Sequence, residues 1–266
     1  MVWLRERHQA VQAPAREGRY ADLYTRWFGP LPSADAPVIV LIHGLGLSGR
    51  YFTPIARRLA ARGHTVVVPD LPGNARPRAS VRATPDVQEL AAMLGRWHTA
   101  VGIGQCVLVA HSAGCQVSSA FAARNPQLVA RMVLTGPAPD PDVPSAWRQL
   151  WRLLADAPRE PLPLLFLVIR DYLRTGPLRF LSALRRALSD AEGPFEARLS
   201  VISAPTLVIR GSSDTLASAE WTERAAALLE RGRAIVVSGA GHAVHFRKPQ
   251  IVAALIEDFL CEGTGS

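Results

Sequence analysis

The 266-residue chain places a serine, a histidine and several acids where they could act together on a carbonyl. Ser112 stands in Ala110-His111-Ser112-Ala113-Gly114, between an apolar run and a helix-like segment. A tight turn there needs small residues two positions to either side, and Ala110 and Gly114 supply them. Such a turn lifts the hydroxyl clear of the backbone. It also leaves the Ala113 N–H at a helix start, facing any negative charge that develops. A hydroxyl is a weak nucleophile at neutral pH and needs a base. His242, in Gly239-Ala240-Gly241-His242, is the candidate, because its glycines permit an exposed loop. The base needs a carboxylate to fix its tautomer. Asp214, in Arg210-Gly211-Ser212-Ser213-Asp214, follows a strand-like run, and Asp140 and Asp142 follow an earlier one.

The positioning elements are legible as alternating apolar runs and helical periods. Strands are expected at Val38–Ile42, Thr65–Val68, Cys106–Ala110, Met132–Thr135, Thr206–Arg210 and Ala234–Ser238. Their uninterrupted apolar character suits a parallel sheet buried on both faces. Helices are expected at Tyr51–Arg62, at Pro85–Ala100 with Thr84 as N-cap, at Ala113–Arg124, at Ser218–Glu230 and at Pro249–Leu260. Strand–helix alternation implies an α/β doubly wound fold. Residues 138–196 break the rhythm. They are rich in Pro, Leu, Trp and Arg and read as several short helices inserted above the C-terminal edge of the sheet, where such sheets bind ligands.

The Ser112 segment resembles the nucleophile elbow of the α/β-hydrolase superfamily, Gly-x-Ser-x-Gly, with alanine at the first glycine as in some of its lipases. His43-Gly44-Leu45-Gly46 resembles the superfamily's oxyanion loop, which makes Leu45 N–H the second donor beside Ala113 N–H. Gly239–His242, with His245 and Pro249, is similar to its histidine loop, although Arg247-Lys248 stand where an acid is common. The resemblance places the acid at Asp214, and the order Ser, Asp, His is that of the superfamily. Asp70-Leu71-Pro72-Gly73-Asn74 resembles the loop after the next strand, departing from it at Ala75-Arg76, and takes a structural role. The resemblance covers about residues 20–137 and 200–260. It implies an α/β-hydrolase fold whose core is 1–137 and 197–266, with 138–196 as a helical lid.

A serine nucleophile implies acyl transfer to water: hydrolysis of an ester, thioester, lactone or amide. The same triad also supports C–C bond hydrolysis of diketones and haloperoxidase-like chemistry, and the scaffold serves non-catalytic ligand receptors. Biosynthetic thioesterase or acyltransferase activity is a further alternative. Superfamily members that open epoxides or displace halide carry aspartate in place of Ser112, which disfavours those reactions. No cofactor is required. His43, His111, Trp147 and Trp151 are candidate substrate contacts, and the apolar insertion suggests a lipophilic or aromatic small-molecule substrate.

The net charge of +8 comes from arginines scattered along the chain, with Lys248 as the only lysine. No dense basic run interleaves with aromatics, so nucleic acid is not the expected partner. His242 and His245 lack the cysteines or carboxylates that would complete a metal site. Cys106, Cys115 and Cys261 form no disulfide framework, and Cys115 is expected to face the core. The segment Met1–His8 is charged and lacks the apolar stretch of a signal peptide. The longest apolar run, Leu162–Ile169, is too short to span a bilayer. A cytoplasmic location is therefore expected. The oligomeric state is not legible from sequence.

Overall fold

The apolar runs assemble into one eight-stranded sheet. The computed structural model describes residues 16–33, 36–75 and 84–262; the charged segment Met1–His8 and Arg76 lie outside them. In chain order the strands are β1 (Arg16–Tyr20), β2 (Leu23–Phe28), β3 (Val38–Ile42), β4 (Val66–Asp70), β5 (Cys106–His111), β6 (Val129–Thr135), β7 (Thr206–Gly211) and β8 (Gly232–Val237). Their spatial order is β1-β2-β4-β3-β5-β6-β7-β8. The run from β4 to β8 is parallel, whereas β1 and β2 pair antiparallel at one edge. Strand order reverses at β3, so the loops after β3 and β5 open a crevice beyond their C-terminal ends.

The helices are α1 (Thr53–Ala61), α2 (Val87–Val101), α3 (Gly114–Arg124), α4 (Ala146–Asp156), α5 (Leu162–Thr175), α6 (Pro177–Ala191), α7 (Pro194–Leu199), α8 (Ala219–Leu228), α9 (Val244–Arg247) and α10 (Pro249–Cys261). They cover both sheet faces. On β3, Val38, Val40 and Ile42 face a core that includes Trp97 of α2, Phe121 of α3 and Trp221 of α8. Ile39 and Leu41 face the other, with Ile55 and Leu59 of α1 and Ile256 and Phe259 of α10. This is the period-two alternation of a strand buried on both faces. Cys115 is fully buried, and its thiol lies 3.8 Å from the Thr135 carbonyl.

Three expectations are corrected. The N-cap of α2 is Asp86, not Thr84: Asp86 accepts from Glu89 N–H while Glu89 accepts from Asp86 N–H, a reciprocal capping box. β8 is an edge strand with an exposed outer side, Val236 included, because no described residue pairs beyond it. The strands β1 and β2 escape the apolar-run criterion because they carry charge. Arg26 of β2 is buried and holds Asp70 at the end of β4 through bonds of 2.7 and 3.1 Å. Asp70 also accepts Gly49 N–H at 2.7 Å, which anchors the turn that starts α1.

Between β6 and β7 the chain forms α4, α5, α6 and α7 over the C-terminal edge of the sheet. Among the described residues no helix is long and apolar enough to cross a membrane.

The Arg26–Asp70 pair yields a stability test. Arg26→Met strands a buried carboxylate and is expected to lower unfolding free energy by about 3–5 kcal/mol. Urea unfolding followed by circular dichroism measures this; a loss of only about 1 kcal/mol, as for a surface pair, would contradict it.

Candidate active site

Four loops, after β3, β5, β7 and β8, converge at the C-terminal edge of the sheet. The loop after β5 is the sharpest. Ser112 has φ of +56°, in the left-handed region that a residue with a Cβ rarely occupies. Ser112 N–H donates to Thr135 O at 3.0 Å, and Ser112 O accepts from Cys115 N–H at 2.9 Å. Glycine is obligatory two residues on. A Cβ at Gly114 would lie 2.5 Å from Ile42 O and 2.7 Å from His43 O, so α3 meets the end of β3 backbone to backbone.

The loops after β7 and β8 bring Asp214 to His242. His242 Nδ1 lies 3.1 and 3.0 Å from the two Asp214 oxygens. Asp214 also accepts Leu216 N–H at 2.8 Å and Ala217 N–H at 3.1 Å. Burial alone would raise its pKa. The neighbouring His242 and the two amides outweigh burial and hold the carboxyl below its ordinary value. An ionised Asp214 fixes the ring proton on Nδ1, so Nε2 is the basic nitrogen. His242 carries the complementary balance. Burial favours the neutral ring, but Asp214, then Asp156 and Glu160, raise its pKa above the ordinary value. Among the described residues His242 Nε2 is buried without a hydrogen-bond partner, and His242 lines the same cavity as Ser112. The rival acids lie elsewhere. Asp140 accepts Ser218 N–H and pairs with Arg152, and Asp142 is exposed against Arg224.

The loop after β3 is fixed along its length. Gly44 N–H donates to Tyr51 Oη at 2.9 Å, Gly46 N–H to Asn74 Oδ1 at 2.6 Å, and Ser48 N–H to Asp171 Oδ2 at 2.9 Å. Thr175 Oγ1 donates to Gly46 O at 2.9 Å. Leu45 and Ala113 both line the cavity, and among the described residues neither backbone N–H donates to another group. Asn74 thus holds the loop after β3 in place.

The four candidate substrate contacts divide. His111 lines the cavity. Its Nδ1 accepts from Tyr51 Oη–H at 2.9 Å and its Nε2–H points to His242 O at 3.2 Å. Burial, followed by His245 and His242, holds its pKa well below the ordinary value, so the ring is neutral. His245 packs behind it, 4.5 Å between ring centroids, with burial pushing its pKa down to about 3. His43 is corrected: it does not line the cavity, because Nε2 accepts Leu71 N–H at 2.7 Å and Nδ1 donates to Gly44 O at 2.9 Å. Trp147 and Trp151 are corrected too. They sit on the outer stripe of α4, stacked edge to face and more than half exposed, while Leu150 and Leu153 of the same helix line the cavity.

The cavity holds about 390 Å³ and is walled mainly by aliphatic and aromatic side chains, among them Leu153, Leu165, Val168, Phe180 and Leu184.

Sequence reasoning missed two acids that reach down from above. Asp156 of α4 accepts His242 N–H at 3.1 Å, and Glu160, four residues on, accepts Ala243 N–H at 2.9 Å. Gly241 makes room for them: a Cβ there would lie 2.8 Å from Glu160 Oε1. Burial, opposed by Ala243 N–H and aided by Asp156, pushes the Glu160 carboxyl up to about 7. The available signal was an acid pair spaced for one helical face inside an arginine-rich segment, but nothing local says which loop it meets. Arg247 donates to Gly239 O and Arg159 O, tying the histidine loop to the same segment.

A family model described as the alpha/beta hydrolase family matches residues 39–255. The chain belongs to the alpha/beta hydrolase family. Among relatives of this hydrolase, RutD of Pseudomonas savastanoi pv. phaseolicola, named for carbamate hydrolysis, is 27% identical over 246 residues, covering 85% of this chain and 95% of its own. The magnesium-chelatase 30 kDa subunit of Rhodobacter capsulatus is 33% identical over 100 residues, covering 38% of this chain and 35% of its own. The fold superposes on 2-hydroxy-6-oxo-6-phenylhexa-2,4-dienoate hydrolase of Rhodococcus sp. strain RHA1 with a TM-score of 0.75 at 16% identity, covering 94% and 99% of the two chains.

The carboxylates around His242 set a pH test. A histidine serves as a base only when neutral, so activity that depends on His242 is expected to fall as pH drops through its raised pKa. Removing Glu160 removes one of the charges that raise it. In Glu160→Gln the acid limb of the kcat/KM profile on an activated ester is expected to move to lower pH. An unmoved limb would show that Glu160 does not act on His242.

Proposed function

We propose that this hydrolase cleaves carboxylic esters of lipophilic or aromatic acids through a covalent acyl-Ser112, with 138–196 serving as a lid on a core of 1–137 and 197–266. The observation that carries the proposal is the arrangement of His242. Its Nδ1 is committed to Asp214, its Nε2 is buried and unpartnered among the described residues, and it shares a cavity with Ser112. A base held in one tautomer with its other nitrogen free is what a serine hydroxyl requires.

In the proposed cycle Ser112 Oγ attacks the ester carbonyl and His242 Nε2 takes its proton. The carbonyl oxygen becomes an oxyanion held by Leu45 N–H and Ala113 N–H, donors that need no reorganisation as charge develops. Asp214 stabilises the imidazolium. Collapse returns the proton to the departing alkoxide and leaves the acyl-serine. Water then gives a proton to His242, attacks the same carbonyl and releases the acid, restoring Ser112. Carbamate hydrolysis, named for RutD, passes through the same kind of tetrahedral centre and supports this reaction class. The apolar wall supports a lipophilic acyl group: each buried CH₂ contributes about 0.8 kcal/mol, a three- to fourfold gain in kcat/KM.

A series of nitrophenyl esters of increasing acyl length tests both parts. kcat/KM is expected to rise by about three- to fourfold per CH₂ until the cavity fills. Ser112→Ala is expected to lower kcat on the order of 10⁴–10⁶-fold. Full activity in Ser112→Ala, or no turnover of any activated ester together with turnover of a diketone, would overturn the ester assignment.

A further inference from the structure

The outer faces of α4 and α5 are apolar where helices facing solvent are ordinarily charged. Trp147, Trp151 and Leu154 form one stripe along α4, and Phe166, Ile169 and Leu173 form another along α5. Each of the six is between 55% and 78% exposed. The spacings follow the helical period, so these are coherent faces rather than scattered side chains. Leu154 and Ile169 also line the cavity, so both stripes reach its mouth.

The charge around these faces has one sign. Between Ala146 and Ala191 the chain carries eight arginines, no lysine and four acids. None of the four acids is exposed. Asp156 and Glu160 accept from the histidine loop, Asp171 from Ser48, and Asp190 from Arg198. Arg148, Arg159, Arg174 and Arg179 are exposed. Internal hydrogen bonding has drawn the carboxylates inward and left the outside apolar and cationic. A second copy of the chain would set this cationic face against its like, which opposes a symmetric pair. An anionic bilayer matches both features. Indole rings suit the headgroup level, aliphatic and phenyl groups the acyl boundary below, and guanidinium groups the lipid phosphates. No helix among the described residues crosses such a bilayer, so the contact is peripheral.

We propose that α4 and α5 dock on an anionic lipid surface, which sets the cavity mouth at the headgroup boundary so that substrate enters from the lipid. Docking itself does not depend on ester hydrolysis and is tested without it.

The full chain carrying Ser112→Ala is mixed with vesicles of phosphatidylcholine alone, or with about a third phosphatidylglycerol, and partitioning is read by sedimentation and tryptophan emission. Partitioning is expected to be at least about tenfold stronger on the anionic vesicles, with a blue shift from Trp147 and Trp151 and weakening at high salt. The double variant Phe166→Ser/Leu173→Ser removes apolar area only at the surface. It is expected to keep its near-ultraviolet circular dichroism and to lose about tenfold in partitioning. Equal, weak partitioning on both vesicles overturns the proposal. So does a folded double variant that binds as well as its parent, or a stable dimer that shields the tryptophans and ignores vesicles. A docking protein that cleaves no ester would refute the hydrolytic proposal alone.

Discussion

Ser112 sits at φ of +56°, a conformation that costs a side chain on the order of 1–3 kcal/mol and persists only where the surroundings over-determine it. Here the surroundings are the close approach of Gly114 to the carbonyls of Ile42 and His43 and the bond from Ser112 N–H to Thr135 O. The reversal at Ser112 leaves its two neighbours with different tasks. Ala113 presents a backbone N–H to the cavity. His111 is buried, and its ring joins two other loops: Gly44 N–H donates to Tyr51 Oη, Tyr51 Oη–H to His111 Nδ1, and His111 Nε2–H to His242 O. A neutral His111 is required for this chain, since it must accept at one nitrogen and donate at the other, and burial keeps it neutral. The strained turn, the loop after β3 and the histidine loop are therefore one hydrogen-bonded unit.

A second unit lies above it. Asp156, Glu160 and Asp171 are acids of the segment between β6 and β7, and each accepts from a backbone N–H of the loops below. Their contacts fix where that segment sits. Asp156 and Glu160 also load negative charge around His242, adding to Asp214 in raising its pKa. Position and electrostatics are coupled through the same bonds. From Ala146 to Ala191 the inward carboxylates and the outward arginines are two consequences of one arrangement.

The sheet from β3 to β7 and the places of Ser112, His242 and Asp214 were legible because each depends on local sequence: an apolar run, then a turn with small residues. Asp140 and Asp142 looked equivalent to Asp214 by that criterion; the resemblance favours Asp214, and the loop geometry sets it against His242. β1 and β2 were not legible. Their stability rests on Arg26 reaching Asp70 across 44 positions, and a buried arginine reads as a surface one. Trp147 and Trp151 were misplaced because composition gives the apolar content of a helix but not its rotation. Leu150 and Leu153, interleaved with them, take the inward face. Tyr51, Asp156 and Glu160 were invisible because their partners lie in distant loops.

The central claim is that Ser112 becomes acylated. The direct measurement is peptide mass spectrometry after rapid acid quench of the enzyme mixed with an activated ester. The acyl mass is expected on the peptide that contains Ser112, at a level that falls in His242→Ala, which lacks the base that activates the hydroxyl. Continued turnover of the ester with every Ser112 peptide unmodified, or the acyl mass on another residue, would contradict it.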